Sequence, residues 1–226
     1  KLFIVIFLKS DACFTRSSHM IGFPVGIFVA NGMEWYFHKV WLHEFPSKNR
    51  NSPFFTHIAH HKRARLNSFH DEGYAESMFK NSEMYNEKSA LIGLAATSTI
   101  FLPVAPFFTA GLYYGIWNYW KVHAKSHLDP EYAKKRIPWH YDHHMTSNQN
   151  ANWCVTKPWF DYIMGTRVLT DVSHTETNPL AIKMPPWLEK KVNRAARRLL
   201  PKAYAKIDAN TQLDQHNLRQ GIEIAL

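Results

Sequence analysis

Charge falls along this chain in blocks, and the blocks mark out its elements. No Asp, Glu, Lys or Arg occurs between Arg16 and Glu34, and Met20 to Ala30 is almost wholly apolar. Continued through Trp35, Tyr36 and Phe37, this stretch is long enough for one membrane span with an aromatic end at the interface. Asn51 to Lys88 is polar and rich in charge and histidine, and is expected outside the hydrocarbon. From Ser89 to Trp120 charge disappears again. At about 1.5 Å per residue, one straight helix of that length overshoots a bilayer core of about 30 Å. Pro103 and Pro106 interrupt it, because proline lacks a backbone donor and disfavours helix in the residue before it. The expected element is a helical hairpin with arms near Ala90–Leu102 and Phe107–Trp120. Each arm is short for a full crossing, so the hairpin either dips in and returns or tilts little. Burial inside a soluble bundle is the alternative.

Beyond Lys121 the chain stays polar. Pro185 and Pro186 precede Trp187 to Ile207, where Leu188, Val192, Ala195, Leu199 and Tyr204 recur among Lys and Arg. That pattern predicts a basic amphipathic helix, either lying on a membrane surface or packed on the protein. Residues 1–19 form an N-terminal segment that reads as a truncated span or a targeting segment, 20–175 the main domain, and 176–226 a basic amphipathic tail.

Apolar residues make up 46% and aromatics 15% of the 226 residues. The mean hydropathy is nevertheless −0.35, so a large polar part must stand outside any bilayer. The formal charge is +9, but the basic residues flank the apolar stretches and form no domain of their own. Lys39, Lys48, Arg50, Lys62, Arg63 and Arg65 follow the first stretch, and Lys121, Lys125, Lys134, Lys135 and Arg136 follow the second. Such flanks mark the cytoplasmic side of membrane helices, which argues for a membrane partner and against nucleic acid. The two cysteines, Cys13 and Cys154, have no metal or redox spacing.

Histidine is the unusual component: there are 14, and most fall into groups. These are His38 with His43; His57, His60 and His61; His123 with His127; and His140, His143 and His144. On an α-helix, positions i, i+3 and i+4 share a face. Each HxxHH triplet therefore aims three imidazoles one way, as His123 and His127 do with two. His38 and His43 are five apart and need a helix end, a bulge, or service to two different metals. Imidazole suits iron, zinc, copper and nickel, and ten ligands are too many for one ion and about right for two. A closed structural zinc site takes four ligands, often thiolate, and no cysteine is placed to help. Neutral ligands call for nearby carboxylates to accept from the outer ring N–H groups. Glu34, Asp142 and Asp161 are the main candidates, with Glu44 and Asp71 beside them. Asp142, at i+2, points away from the shared face. A metal transporter would place ionisable groups inside its spans, and Ser89 to Trp120 has none.

These motifs resemble the fatty acid hydroxylase superfamily, the membrane-bound di-iron proteins that include sterol desaturases. The resemblance runs from about Gly32 to Thr166 and rests on His38-x4-His43, His57-x2-His60-His61, His123-x3-His127 and His140-x2-His143-His144. Phe160, Asp161 and Gly165-Thr166 resemble the family's closing W-D-x3-G-T element, with Phe160 where tryptophan is usual. The resemblance implies an all-α fold, with a membrane hairpin and a cytoplasmic helical cap carrying a poly-histidine dimetal site. It implies that all ten histidines ligate two iron ions, for which zinc can substitute in a purified sample. The implied activity is hydroxylation of a lipid C–H bond with O2, with desaturation or decarbonylation as variants. Two electrons would come from a separate donor, a cytochrome b-type haem protein or a ferredoxin with its reductase. The Pro-x-Asp that the sphingolipid 2-hydroxylase branch carries after the second triplet is replaced here by Lys62-Arg63-Ala64-Arg65. His70 lies near the second group and reads as a surface histidine, with an extra ligand as the alternative; His19, His174 and His216 fit no pattern.

Overall fold

The computed structural model describes residues 21–146, 148–170 and 177–220, with the backbone alone at 218–220. The N-terminal segment 1–19 and His174 lie outside the described residues. Among these residues there are ten α-helices and no strand. Helix α1, residues 21–36, is the apolar stretch of the sequence. It widens without a break into a π-helix over Phe37–Glu44 and tightens again in α2, Phe45–Lys48. Then come α3 (Phe55–Leu66), a 3-10 turn (Glu72–Ala75), α4 (Ser82–Ser98), α5 (Pro106–Leu128), α6 (Pro130–Arg136) and α7 (Pro138–Met145). The chain closes with α8 (Trp159–Met164), α9 (Pro186–Leu199) and α10 (Pro201–Gln220).

Local chemistry sets these limits. Helices α5, α6, α7, α9 and α10 all begin on proline, whose fixed φ suits the first helical position and whose missing N–H is an orphan there anyway. The Asn81 side chain accepts from the amides of Glu83 and Met84 to start α4, and Asp129 accepts from Tyr132 to start α6. Gly165 ends α8 at φ +73°, and a Cβ there would lie 2.9 Å from the Ala203 carbonyl of α10.

α4 and α5 form the hairpin, with the turn at 99–105 where the prolines require it. Both helices run beyond the charge-free stretch. α4 starts eight residues earlier than expected, at Asn81's cap, and α5 continues to Leu128. These extensions carry Glu83, Glu87, His123 and His127. No helix among the described residues is long and apolar enough to cross a membrane. The expected single helix Trp187–Ile207 is two helices, because Pro201 pulls Leu200 out of helical geometry (φ −125°, ψ 52°).

α1 crosses α5 backbone to backbone. A Cβ on Gly26 would collide with the Phe108 carbonyl and lie 2.9 Å from the Gly111 Cα; one on Gly111 would collide with the Phe23 carbonyl. Gly26→Val is therefore expected to force the helices apart and cost about 1–3 kcal/mol by overpacking. A lower thermal midpoint in detergent, with Gly93→Ala as the harmless control, measures it. Gly93 has nothing within 4 Å of its would-be Cβ.

The main core joins Phe69, Tyr119, Ala133, Ile137, Trp139, Tyr141 and Val155. It holds α5, α6 and α7 beneath the loop 151–156. A smaller cluster of Tyr162, Tyr204 and Ile207 fixes α10 on α8.

Candidate metal centre

All ten grouped histidines are buried at the open end of the hairpin, and their rings converge. Ring nitrogens of His38, His43, His57 and His61 lie within 4.8 Å of one another, as do those of His60, His123, His127 and His144. His143 Nε2 is 3.3 Å from His43 Nε2, and His140 Nε2 is 3.3 Å from His127 Nε2. The rings thus fall into two sets of five. The sets abut where His61 stacks on His144, centroids 3.9 Å apart.

The two triplets serve the sets in opposite senses. On α3 the i, i+4 pair His57 and His61 joins the first set, and His60 the second. On α7 the i, i+4 pair His140 and His144 joins the second set, and His143 the first. The His38–His43 spacing is explained by the π-helix. At about 100° per residue an α-helix turns position i+5 roughly 140° away from i, whereas i→i+5 bonding brings it back over i. Both rings then face the same set, centroids 5.1 Å apart.

The outer face of each set is anchored through Nδ1. His38 donates to the Trp153 carbonyl at 2.6 Å, His143 to that of Ala151 at 2.7 Å and His61 to Gln149 Oε1 at 3.1 Å. His60 donates to Asp71 Oδ2 at 2.7 Å, His123 to Glu87 Oε1 at 2.8 Å and His127 to the Phe69 carbonyl at 3.1 Å. Ser68 and Phe69 hold left-handed conformations, φ 54° and 78°. Such strain in non-glycine residues persists where a site demands it, and here it sets the Phe69 carbonyl against His127 and stacks its ring on the imidazole at 4.4 Å.

The expected outer carboxylates are distributed differently. Asp71 touches a ring directly. Asp161 accepts from the amides of Trp153 and Cys154, each at 2.9 Å, and from Thr166 Oγ1 at 2.7 Å. Glu34 accepts from the Val155 and Thr156 amides and from Thr156 Oγ1. These two secure the loop whose carbonyls receive His38 and His143, and so reach the rings at one remove. Asp142, fully buried, faces Arg167 at 3.6 Å. Glu44 pairs with Lys39 at the surface. Glu83, Glu87, Gln149 and the three carbonyls are additions that the sequence reading missed. His70 and His216 stand apart from the clusters.

The arrangement suits cations. With their Nδ1 protons given to Asp71 and Phe69, His60 and His127 point bare Nε2 lone pairs at each other across 3.1 Å. Two lone pairs at that distance repel, but nitrogens bound about 2.1 Å from one ion come about that close. Buried ring nitrogens of His43, His123, His140 and His144 have no hydrogen-bond partner among the described residues. Burial also keeps the rings neutral, the form that ligates. It lowers the His38 pKa to about 3, and depresses His43, His57, His60, His61, His127, His140, His143 and His144 well below the ordinary value, neighbouring imidazoles adding to the effect.

That depression makes the metal-free protein acid-labile. Above about pH 7 the rings are neutral in folded and unfolded chains alike, so stability is flat. Below about 6.5 the unfolded chain takes up protons that the folded one refuses. Stability therefore falls as pH falls through that range, offset in part by Glu34 and Glu83, whose burial raises their pKa to about 7 so that the folded chain takes up protons first at those two sites. Thermal unfolding of chelator-stripped protein between pH 8 and 5 should show a steep drop confined to the acid side; a flat profile would contradict buried neutral rings.

A cavity of about 450 Å³ runs between α1, the π-helix, α4 and α5. Met33, Leu94, Leu112 and Ile116 line it, and His38 and His57 of the first set form part of its wall.

An all-helical chain with buried histidine clusters able to bind metal fits the class of di-iron lipid oxygenases in general. The chain belongs to the fatty acid hydroxylase family, whose model matches residues 23–166. The family is typically membrane-bound, is known for di-iron sites, and is associated with lipid substrates and the use of O2. Comparison with curated proteins and with solved structures yields no match.

Proposed function

We propose that this protein hydroxylates a C–H bond of a membrane lipid, converting RH, O2, two electrons and two protons into ROH and water. The observation that carries the reading is the apolar cavity that meets His38 and His57 at the edge of the double cluster. Its volume lies in the range of small-molecule pockets, and its walls suit an acyl chain, a sterol or a carotenoid-like ring.

His38, His43, His57, His61 and His143 would hold one iron, and His60, His123, His127, His140 and His144 the other. When bound, the two irons supply O2 activation and abstraction of hydrogen from an unactivated carbon. The chain's own part is positional. The π-helix, α3, α5 and α7 hold the imidazoles in fixed directions, and the Nδ1 acceptors fix their tautomers. Met33, Leu94, Leu112 and Ile116 exclude water and align the substrate beside His38 and His57. Residues 20–175 make up this oxygenase domain, with 176–226 as a basic tail.

Seating in a bilayer is supported by the hairpin tip, where Ile100 and Val104 are 76% and 73% exposed. Apolar groups left bare on that scale mark a membrane or partner surface. The hairpin dips into the bilayer from the side that bears the basic flanks, the cytoplasmic one, and a separate electron carrier docks there.

Membranes containing the protein, incubated with ¹⁸O2 and an electron source and analysed by untargeted lipid mass spectrometry, test the reaction. A hydroxylated lipid carrying one ¹⁸O is expected. An unlabelled product two hydrogens lighter would replace hydroxylation by desaturation, and unchanged lipids in iron-loaded membranes would sink the oxygenase reading.

A further inference from the structure

We infer that the two halves of the centre bind metal with unequal strength, the His60 half the tighter, and that Asp71 and Glu87 are the positioning residues that make the difference. The inference rests on the ten-histidine reading above.

Three rings in each half donate Nδ1–H to an identified acceptor. In the half of His38, His43, His57, His61 and His143 the acceptors are neutral: the carbonyls of Trp153 and Ala151 and the amide oxygen of Gln149. In the other half two of the three are carboxylates, Asp71 on His60 and Glu87 on His123, at 2.7 and 2.8 Å. Glu83 brings a further carboxylate oxygen within 3.6 Å of His60 Nδ1. The surrounding charges keep this imbalance. Arg63 bonds to Asp71 and Glu83, but its side chain is 41% exposed and part of its charge is spent in solvent. Behind the neutral half, Asp142 and Arg167 are both fully buried and offset each other, and Asp161 and Glu34 direct their charge at amides of the loop 151–156, touching no ring. Arg65, bonded to the His144 and Thr146 carbonyls, bears on both halves, its charge also reaching His61.

A carboxylate on the outer nitrogen does two things for the inner one. It pushes electron density towards the lone pair, and it sets a negative charge near a dication that neutral imidazoles leave uncompensated. Both carboxylates are fixed in place. Asp71 Oδ1 also accepts from the Gly73 amide, and Glu87 Oε2 from the Tyr74 hydroxyl. The first ion taken up should therefore occupy the His60 half. The half beside the cavity fills last and empties first.

Titration of the metal-free protein with Co²⁺ in detergent, followed by cobalt absorbance and elemental analysis, reads the two steps separately. Outer partners are worth about 10–100-fold in metal affinity, so the steps should differ by at least about tenfold. Asp71→Asn and Glu87→Gln should each weaken the first step by about that factor and leave the second nearly unchanged. Gln149→Glu places a carboxylate on His61 and should tighten the second step by about tenfold; it serves if the other variants fold poorly. A general structural role for Asp71 and Glu87 would weaken both steps alike. Two equal steps in the parent protein, or variants that lower both together, overturn the inference while leaving two bound ions. Absence of bound cobalt would instead remove the ten-histidine reading itself.

Discussion

His143→Ala is expected to lower bound iron from two per chain towards one and to cut lipid oxidation by more than about 100-fold, since even residues that only support a ligand cost 10–100-fold. The ring is fully buried and donates to the Ala151 carbonyl, and its Nε2 lies 3.3 Å from that of His43. Its removal leaves the set beside the cavity with four rings and a gap, while the five rings around His127 keep their neighbours. The fold should survive, because one unpaired buried carbonyl costs about 1–3 kcal/mol. Elemental analysis on detergent-purified protein, paired with product yield, makes the measurement. Unaltered iron content together with full activity would remove His143 from the centre.

Asp161→Ala acts from farther away and should still strip the same half. This carboxylate is the shared acceptor for the amides of Trp153 and Cys154 and for the Thr166 hydroxyl. Without it these buried donors lose their partner, at about 1–3 kcal/mol each, and the loop 151–156 is no longer held to α8. The Trp153 and Ala151 carbonyls that orient His38 and His143 move with it. Expected together are a fall in stability of about 3–5 kcal/mol and loss of one iron per chain. Asp161→Asn, which keeps the shape and one acceptor oxygen, should be milder on both counts. Denaturant unfolding and metal analysis on the same samples check this. A stability loss with both irons retained would show that the loop does not govern the rings.

Much of this arrangement can be read from spacing, because it follows helix geometry. The two HxxHH triplets and the His123–His127 pair converge because i, i+3 and i+4 share a face, and the hairpin turns where Pro103 and Pro106 stand. The π-helix was less accessible. Five-residue spacing between His38 and His43 signalled something other than an α-helix, but it did not say whether an end, a bulge or a second ion resolved it. The Nδ1 acceptors were mostly hidden for a different reason. The carbonyls of Phe69, Ala151 and Trp153 carry no side-chain signature, so carboxylates were expected where backbone serves. Glu83 and Glu87 did leave a signal. They lie four apart at the head of the charge-free stretch, on one face of α4, and point back towards the cap. The break at Leu200–Pro201 was also visible, and the apolar periodicity running across it masked it.

The opposite use of the two triplets has a mechanical consequence. Helices α3 and α7 mesh like a pair of gears, each with teeth in both halves. Neither can rotate to improve the aim of its rings in one set without spoiling it in the other, so a rotation of either helix is felt on both sides at once, whereas loss of a single ring is not.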